Sequence, residues 1–306
     1  SFFPQLVAGP IVRAADFIPQ LYKPYKLSQY NFGLALFWIL KGLTKKVIIG
    51  DYIAVNFIDR IFDNPMMFTG FENLMALYGY SLQVYADFSG YTDMAIGIAL
   101  LMGFTLPKNF NSPYKAQNVG EFWKRWHISL SGWLKDYLYI PLGGNRGGSV
   151  GTWIALFFIS AFIILLSGKM IVLYGFILAF IIITFLAIWV KPFRAWLITN
   201  INLLITMLLG GLWHGASWQF VIWGGLNGLG LIVYKLWRKI SPYEKYDNAI
   251  AIVVKVFVTF NFITFTRIWF RAENMESTWQ IIDQIGTSFN ASLIPEILVS
   301  YSNVFA

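Results

Sequence analysis

The sequence contains no cysteine and unusually little charge. Without cysteine, the chain cannot form disulfide bonds, thiolate metal sites or an acyl-cysteine intermediate. Charged residues make up 12% of the chain, whereas a soluble domain has about 25%. Histidine occurs twice, at His127 and His214, so proton transfer near neutral pH must use one of them or a carboxylate. The low charge excludes a soluble enzyme, a disordered chain and a nucleic-acid-binding domain.

Apolar residues are abundant instead and make up 57% of the 306 residues. Roughly 174 apolar residues would fill at most about 8 or 9 transmembrane helices of ~20 residues. Helices must carry nearly all of them, because backbone polar groups find no water inside a bilayer and the alternation of barrel strands is absent. The net charge of +8 is typical of basic cytoplasmic loops. The sequence therefore predicts an all-α, polytopic membrane protein.

The apolar runs predict about seven or eight spans. The first covers 31–49, and 71–104 is long enough for a broken helix pair with Gly90 near the break. The remaining spans have clearer limits and cover 150–167, 170–190, 197–213, 217–236 and 249–266. A further helical pattern surrounds 279–285.

Basic segments predict the orientation. Lys and Arg outnumber Asp and Glu in 105–148, 191–194 and 235–245, and the positive-inside rule places all three in the cytoplasm. The helix over 197–213 leaves that side and rises ~25 Å at ~1.5 Å per residue. We therefore expect His214 deep in the membrane or near its outer face, and His127 on the cytoplasmic side.

His214 stands in GGLWHGASW, residues 210–218, within an apolar run. An ionisable side chain inside a membrane is costly unless it pairs or lines a polar cavity, so His214 is a functional candidate. Trp213 and Trp218 could form the wall of a pocket there. The alternative is a purely structural hydrogen bond from His214 to a neighbouring helix.

His127 stands in EFWKRWHISLSGWLKDYLYIP, residues 121–141, whose spacing predicts one amphipathic helix. Aromatic and leucine side chains share one of its faces: Trp126, Leu130, Trp133, Tyr137 and Leu138. Lys124 and Arg125 lie mostly on the other face. The helix is either an interfacial anchor or a basic vestibule that admits an anionic donor such as a phosphopantetheine thioester.

Asp87 and Asp93 lie in the otherwise apolar YADFSGYTDMAIGIA, residues 85–99. They either mark a proton path or pair with Lys and Arg of other segments; their spacing of six gives little support to a catalytic dyad. The glycine-rich stretch 143–148 lacks the ending of a phosphate loop and is predicted to be a flexible loop. We predict no metal site.

Several long motifs together resemble the membrane-bound O-acyltransferase (MBOAT) family, in its alginate O-acetylation branch. They are SFFPQLVAGPIVR, YADFSGYTDMAIGIALLMGF, LPKNFNSPYKAQNVGEFWKRWHISLSGWLKDYLYIPLGGNR and LLGGLWHGASWQFVIWGGLNG. The similarity covers most of 1–148 and 197–272. It implies one MBOAT transmembrane domain over 1–306, with broken or re-entrant helices around a buried histidine. Residues 149–195 would be an extra insertion of about two spans, and helices at both ends of the domain would be missing.

The resemblance implies a multi-pass protein of the bacterial cytoplasmic membrane that transfers an acyl group, by default acetyl, for O-acetylation of an exported polysaccharide such as alginate. The donor would be a cytoplasmic thioester, acetyl-CoA or acyl carrier protein, with no tightly bound cofactor. The partners would be the bilayer, the polysaccharide and a periplasmic or extracellular SGNH-hydrolase-like acetyltransferase. The family histidines fall on His214, as general base, and on His127. Donor or substrate contacts are predicted at Lys124, Arg125, Trp126, Trp213, Asp87, Asp93 and Asn111.

Two other classes of function stay open. A transporter or channel would also use intramembrane Asp and His side chains and basic vestibules, although no internal repeat supports it. A non-catalytic scaffold of a polysaccharide secretion complex would tolerate replacement of both histidines.

Overall fold

The computed structural model describes residues 2–189 and 191–302, and this part of the chain is helical with no β-strand. The α-helices are α1 (Ala14–Leu21), α2 (Gln29–Leu43), α3 (Asp59–Asp63), α4 (Gly70–Leu101), α5 (Val119–Arg125), α6 (Ile128–Leu134), α7 (Val150–Ser167), α8 (Met170–Trp189), α9 (Lys191–His214), α10 (Trp218–Ile240), α11 (Ala249–Arg271), α12 (Met275–Thr287) and α13 (Ile294–Ser300). Helices α7, α8 and α10 follow the predicted spans closely, whereas α9 begins six residues before the predicted 197–213 and α11 ends five residues beyond the predicted 249–266. The predicted all-α class is therefore confirmed.

Two compact units make up the fold. The first contains the chain up to Ser131 and from Ser241 onward, and the second contains Gly132–Ile240. His127 therefore belongs to the first unit and His214 to the second.

The first unit is organised around α4, an uninterrupted helix of 32 residues. Thr69 caps its start: the Thr69 backbone N–H donates to Glu72 at 2.9 Å, and the Glu72 N–H donates back to the Thr69 hydroxyl at 3.3 Å. The predicted break at Gly90 is wrong. A side chain at Gly90 would collide with the Gly42 carbonyl of α2, so this glycine permits a close helix crossing and leaves its own helix unbroken.

Helix α2 runs antiparallel to α4, because Ala35 lies near Gly97 whereas Gly42 lies near Gly90. Beyond Leu43 the helical path continues in π-helical turns over Thr44–Asp51 and Ala54–Ile58. This arrangement places the lysines at the end of α2 beside the second half of α4.

The predicted continuous helix over 121–141 is also wrong, because the chain bends at Trp126 and His127 between α5 and α6. Asn109 accounts for the bend. Its carbonyl oxygen accepts from the Ile128 N–H at 2.9 Å, and its side-chain oxygen accepts from the Ser129 N–H at 3.1 Å. A residue almost twenty positions away thus starts a new helix at Ile128, and the aromatic stripe predicted for 121–141 does not stay on one helix face.

In the second unit, α9 and α10 pack closely through glycines. A side chain at Gly211 would meet the Phe220 carbonyl, and one at Gly224 would meet the Met207 carbonyl. Buried Asn202 on α9 donates from its amide to the carbonyls of Gly144 and Gly147 at 3.2 and 3.1 Å. The stretch predicted as a flexible loop is therefore a hydrogen-bonded turn fixed to α9.

Three helices of the described chain are long and apolar enough to cross a membrane: Phe193–His214, Trp218–Ile240 and Ala249–Arg271. Large apolar side chains are exposed along them, including Val233, which is 62% exposed, and Phe257, which is 63% exposed. Such surfaces are favourable in lipid and costly in water. The total of seven or eight spans stays a prediction.

Candidate functional site

His127 occupies a strained turn. Its φ of 43° lies in the left-handed region, which is uncommon for residues other than glycine. The residue is 4% exposed, and its ring packs edge-on against Phe88 of α4 with the ring centroids 4.7 Å apart. The turn therefore buries the imidazole against α4, where an unbroken helix was predicted to carry it beside an apolar stripe.

Trp126, the neighbour of His127, is buried in an aromatic cluster. Its indole stacks on Phe122 with centroids 5.6 Å apart and meets Phe110 edge-on at 5.0 Å. The guanidinium carbon of Arg267 lies 4.7 Å from the centroid of the same indole. Trp126 thus forms the wall between the His127 turn and α11.

Arg267 of α11 is a residue that the sequence reasoning missed. It is 5% exposed, and its Nη1 donates to the Ser81 carbonyl at 3.0 Å and to the Tyr114 hydroxyl. Burial raises the pKa of Tyr114, so the phenol stays neutral and donates to the same Ser81 carbonyl. An arginine within the apolar run 249–271 was the available signal, since such a charge usually faces a protein interior or a polar cavity.

A cavity of about 210 Å³ lies in the first unit, where α2 and α4 meet the segment after α4. We call it the basic cavity. Its lining includes the three lysines Lys41, Lys45 and Lys108, together with Asp93 and Trp38. One carboxylate thus faces three ammonium groups, so two positive charges have no carboxylate of their own among the described residues that line the cavity.

Asp93 and Asp87 both pair with lysines, as the pairing interpretation predicted. Asp93 Oδ2 lies 2.7 Å from Lys45 Nζ and 3.3 Å from Lys41 Nζ. Asp87 Oδ1 lies 2.6 Å from Lys46 Nζ and does not line the basic cavity. The two carboxylates therefore belong to separate ion pairs, and neither forms a dyad with the other.

Arg125 and Lys124 differ in role. Arg125 forms an ion pair with Glu121 at 2.7 Å and donates from Nη1 to the Asn111 carbonyl at 3.2 Å. Asn111 lines the basic cavity, so Arg125 holds one of the cavity's edges in place. Lys124 is exposed on the surface of α5.

His214 ends α9 in the second unit and is surrounded by aromatic rings. Its imidazole centroid lies 4.9 Å from the ring of Trp213, 5.1 Å from Trp223 and 6.3 Å from Phe220. The Trp213 side chain is 55% exposed, whereas His214 is half-buried. The helix therefore presents an imidazole in an apolar, aromatic setting at the end of a candidate membrane span.

The structure thus gathers Trp126, His127, Arg125, Asn111 and Asp93 in the first unit. It gathers His214 and Trp213 in the second. Within the described residues, no group of three or more His, Asp or Glu side chains is arranged to hold a metal ion.

Comparison with known proteins assigns the family. Residues 1–190 match the family model described as MBOAT, membrane-bound O-acyltransferase family. The chain belongs to the MBOAT family. His127 lies within the matched residues, and His214 lies beyond them. The chain is accordingly membrane-embedded, in agreement with its three apolar helices.

Individual relatives extend this similarity over most of the chain. A "Peptidoglycan O-acetyltransferase" of Helicobacter pylori is 40% identical over 286 residues, which covers 92% of this chain and 44% of that protein. A "Probable alginate O-acetylase AlgI" of Azotobacter vinelandii is 37% identical over 284 residues, 92% of this chain and 45% of that protein. A "Teichoic acid D-alanyltransferase" of Bacillus subtilis is 28% identical over 271 residues, 86% of this chain and 58% of that protein. The chain spans less than half the length of the first two relatives.

Proposed function

We propose that the chain is part of a membrane-bound O-acyltransferase that moves an acyl group, by default acetyl, from a cytoplasmic thioester across the membrane for O-acetylation of an exported polysaccharide. The observation that carries the proposal is His214, an imidazole enclosed by aromatic rings at the end of an apolar helix, in a chain of this family. The names of the relatives, which are an O-acetyltransferase, O-acetylases and D-alanyltransferases, support the reaction class.

In this proposal His214 is the general base. Its neutral imidazole accepts the proton of the acceptor hydroxyl while that oxygen attacks the thioester carbonyl. The C–S bond then breaks, the ester forms, and the leaving thiolate recovers the proton from the imidazolium. General-base assistance contributes about 10²–10⁴-fold, so positioning and stabilisation of the oxyanion must supply the rest of the rate.

The donor is a thioester of coenzyme A or of an acyl carrier protein, and it approaches from the cytoplasmic side. The basic segment 105–148 supports this direction under the positive-inside rule. His127 and Arg125 would help to shape the part of the protein that receives the donor. His127 is buried at the turn, and Arg125 holds the Asn111 edge of the basic cavity in place. Exposed Lys124 would attract the donor at longer range.

The same proposal places the protein in the bacterial cytoplasmic membrane as a multi-pass protein. A periplasmic SGNH-hydrolase-like acetyltransferase would complete transfer to the polysaccharide, of which alginate is one example. The names of the alginate and peptidoglycan relatives support an extracytoplasmic glycan as acceptor.

Replacement of His214 tests the proposal. In cells that make the acylated polymer, His214→Ala is expected to lower polymer O-acylation by about 10²-fold or more, because the general base is lost. O-acyl content is measured by NMR of the purified polymer, and protein abundance by immunoblot of membranes. Leu212→Ala, at an exposed apolar position two residues earlier on α9, is the matched control and should keep wild-type acylation.

Normal acylation with His214→Ala at normal abundance would refute the base assignment. His127→Ala in the same assay separates the classes of function. If both histidine variants keep full acylation while truncations abolish it, the protein is a scaffold and the catalytic proposal is wrong.

A further inference from the structure

The basic cavity has features of an anion site that the acyl-transfer step does not require. Lys41 and Lys45 both contact Asp93 Oδ2, so their ammonium nitrogens lie at most 6.0 Å apart. Lys41 and Lys108 lie 4.3 and 5.7 Å from the centroid of the Trp38 ring, so they lie at most 10.0 Å apart. The three positive charges therefore converge on one small volume.

Asn109 gives an independent indication of a ligand. This cavity-lining residue is 1% exposed, and its side-chain oxygen accepts from Ser129. Its amide nitrogen is buried, yet it donates no hydrogen bond within the described part of the chain. A buried donor without an acceptor costs free energy, and an anionic oxygen in the cavity would satisfy it.

Volume and charge narrow the ligand class. A cavity of about 210 Å³ is smaller than the roughly 300–1,000 Å³ of sites for drug-sized ligands. It suits one phosphate group and the first atoms of its carrier. Lysine is a common phosphate ligand, and its ammonium forms strong charge-assisted hydrogen bonds with phosphate oxygens.

Depth and direction indicate how the carrier enters. Asp93 lies eight residues before the end of α4, about 12 Å along a helix of ~1.5 Å per residue. The chain after α4 is the basic segment 105–148, which the positive-inside rule places in the cytoplasm. The Asp93 side of the cavity therefore lies about 12 Å inside the cytoplasmic end of α4, and exposed Lys108 lies beyond that helix end, where the carrier would extend outward.

We propose that the basic cavity binds the phosphate group of a larger molecule entering from the cytoplasmic side. Lys41 and Lys108 hold the phosphate, Asn109 donates to one of its oxygens, and Trp38 packs against the carrier. Two sources share this chemistry: the pantetheine phosphate of the thioester donor, and the headgroup of an anionic phospholipid. The first source rests on the proposed function, and the second does not.

Paired probes that differ by the phosphate test the proposal on the purified protein in detergent. Isothermal titration calorimetry is run with 4′-phosphopantetheine and with pantetheine. We expect the phosphorylated probe to bind at least tenfold more tightly. Lys41→Gln and Lys108→Gln should each weaken it about three- to tenfold and leave pantetheine binding unchanged. Lys115→Gln, at an exposed lysine of the same basic segment, is the control and should change neither affinity.

A lipid experiment distinguishes the two sources. The protein is reconstituted in nanodiscs that contain equal amounts of two lipids: phosphatidylglycerol, and phosphatidylcholine doped with diacylglycerol. The lipid that stays bound to the protein is measured by native mass spectrometry. The site binds a lipid headgroup if the wild type retains phosphatidylglycerol, Lys108→Gln loses it, and the protein does not prefer phosphopantetheine to pantetheine. If Lys41→Gln and Lys108→Gln alter neither phosphopantetheine nor phosphatidylglycerol binding, the proposal is wrong.

His214→Ala keeps this test separate from the proposed function. The variant should bind phosphopantetheine as the wild type does, because His214 lies outside the basic cavity. Loss of the phosphate preference in this variant would contradict an independent phosphate site. Full polymer acylation by the same variant would refute the general base alone, and the binding result would stand.

Discussion

Asp93→Asn should lower stability and raise phosphate affinity at the same time. The amide has nearly the volume of the carboxylate, so the change removes the negative charge with little repacking. It removes the ionic attraction of Asp93 Oδ2 to Lys45 Nζ at 2.7 Å and to Lys41 Nζ at 3.3 Å. Breaking a fully buried pair costs about 3–5 kcal/mol. The lysine side chains are 20% and 38% exposed, so screening reduces the expected loss to about 1–2 kcal/mol.

The opposite effect on affinity follows from the charge of the cavity. Without Asp93, three uncompensated positive charges face the ligand instead of two. One unit charge at roughly 6 Å in an effective dielectric of about 20 interacts with a phosphate charge by about 2.8 kcal/mol. Halving this value for the open side of the cavity leaves about 1.4 kcal/mol, which corresponds to about tenfold tighter binding of phosphopantetheine.

Asp87→Asn is the matched control, because Asp87 pairs with Lys46 on the same helix pair but lies outside the basic cavity. It should lower the thermal midpoint to a similar or smaller extent and leave phosphopantetheine affinity unchanged. Differential scanning fluorimetry measures the first quantity, and calorimetric titration measures the second. Unchanged or weaker phosphopantetheine binding by folded Asp93→Asn would refute the electrostatic reasoning, as would equal tightening in the control.

Two further predictions concern packing. Gly90→Ala should lower the thermal midpoint by several degrees, since a Cβ there meets the Gly42 carbonyl, whereas Gly33→Ala has nothing within 4 Å and should change it little. Asn202→Leu removes the donor to both carbonyls of the glycine-rich turn and should cost about 2–3 kcal/mol. Limited trypsinolysis should then cut faster at exposed Arg146 than in a Thr199→Ala control, and equal rates of cleavage would contradict the role given to Asn202.

The spans were predictable where sequence-local signals set their limits. Helices α7, α8 and α10 begin and end close to the predicted positions, because polar residues and glycines interrupt the apolar runs there, whereas α9 begins within the basic segment 191–194. The prediction of a break at Gly90 was wrong because of tertiary packing. The glycine allows the close approach of α2, whose Gly42 lies almost fifty residues earlier in the chain. A glycine in an apolar run therefore indicates either a break or a close crossing, and only the packing partner decides between them.

The bend at His127 shows the same limit at the candidate site. Helical periodicity over 121–141 was real, but Asn109 supplies two acceptors that make a new helix start at Ile128 more favourable than continuation. The sequence could predict that Asp93 pairs with a cation, because a buried carboxylate needs one. It could not predict which lysines are the partners. Lys41 and Lys45 stand within the apolar run 31–49, where the sequence does not show which carboxylate they meet. Their placement around one cavity depends on the antiparallel contact of α2 with α4.

Arg267 and Lys108 are two cations of the first unit that differ in burial and in contacts, since Arg267 is buried and Lys108 is exposed. The Arg267 guanidinium contacts the Ser81 carbonyl, the neutral Tyr114 phenol and the ring faces of Tyr114 and Trp126. Fixed protein groups therefore stabilise its charge. Lys108, by contrast, contacts the Trp38 ring and no carboxylate within the described residues. Because these protein groups already bind the guanidinium, Arg267 stabilises the packing around Trp126 and is a poor candidate to bind a ligand. The ammonium groups of the basic cavity keep unused hydrogen-bond donors, and an anion arriving from the cytoplasm is the partner that such donors favour.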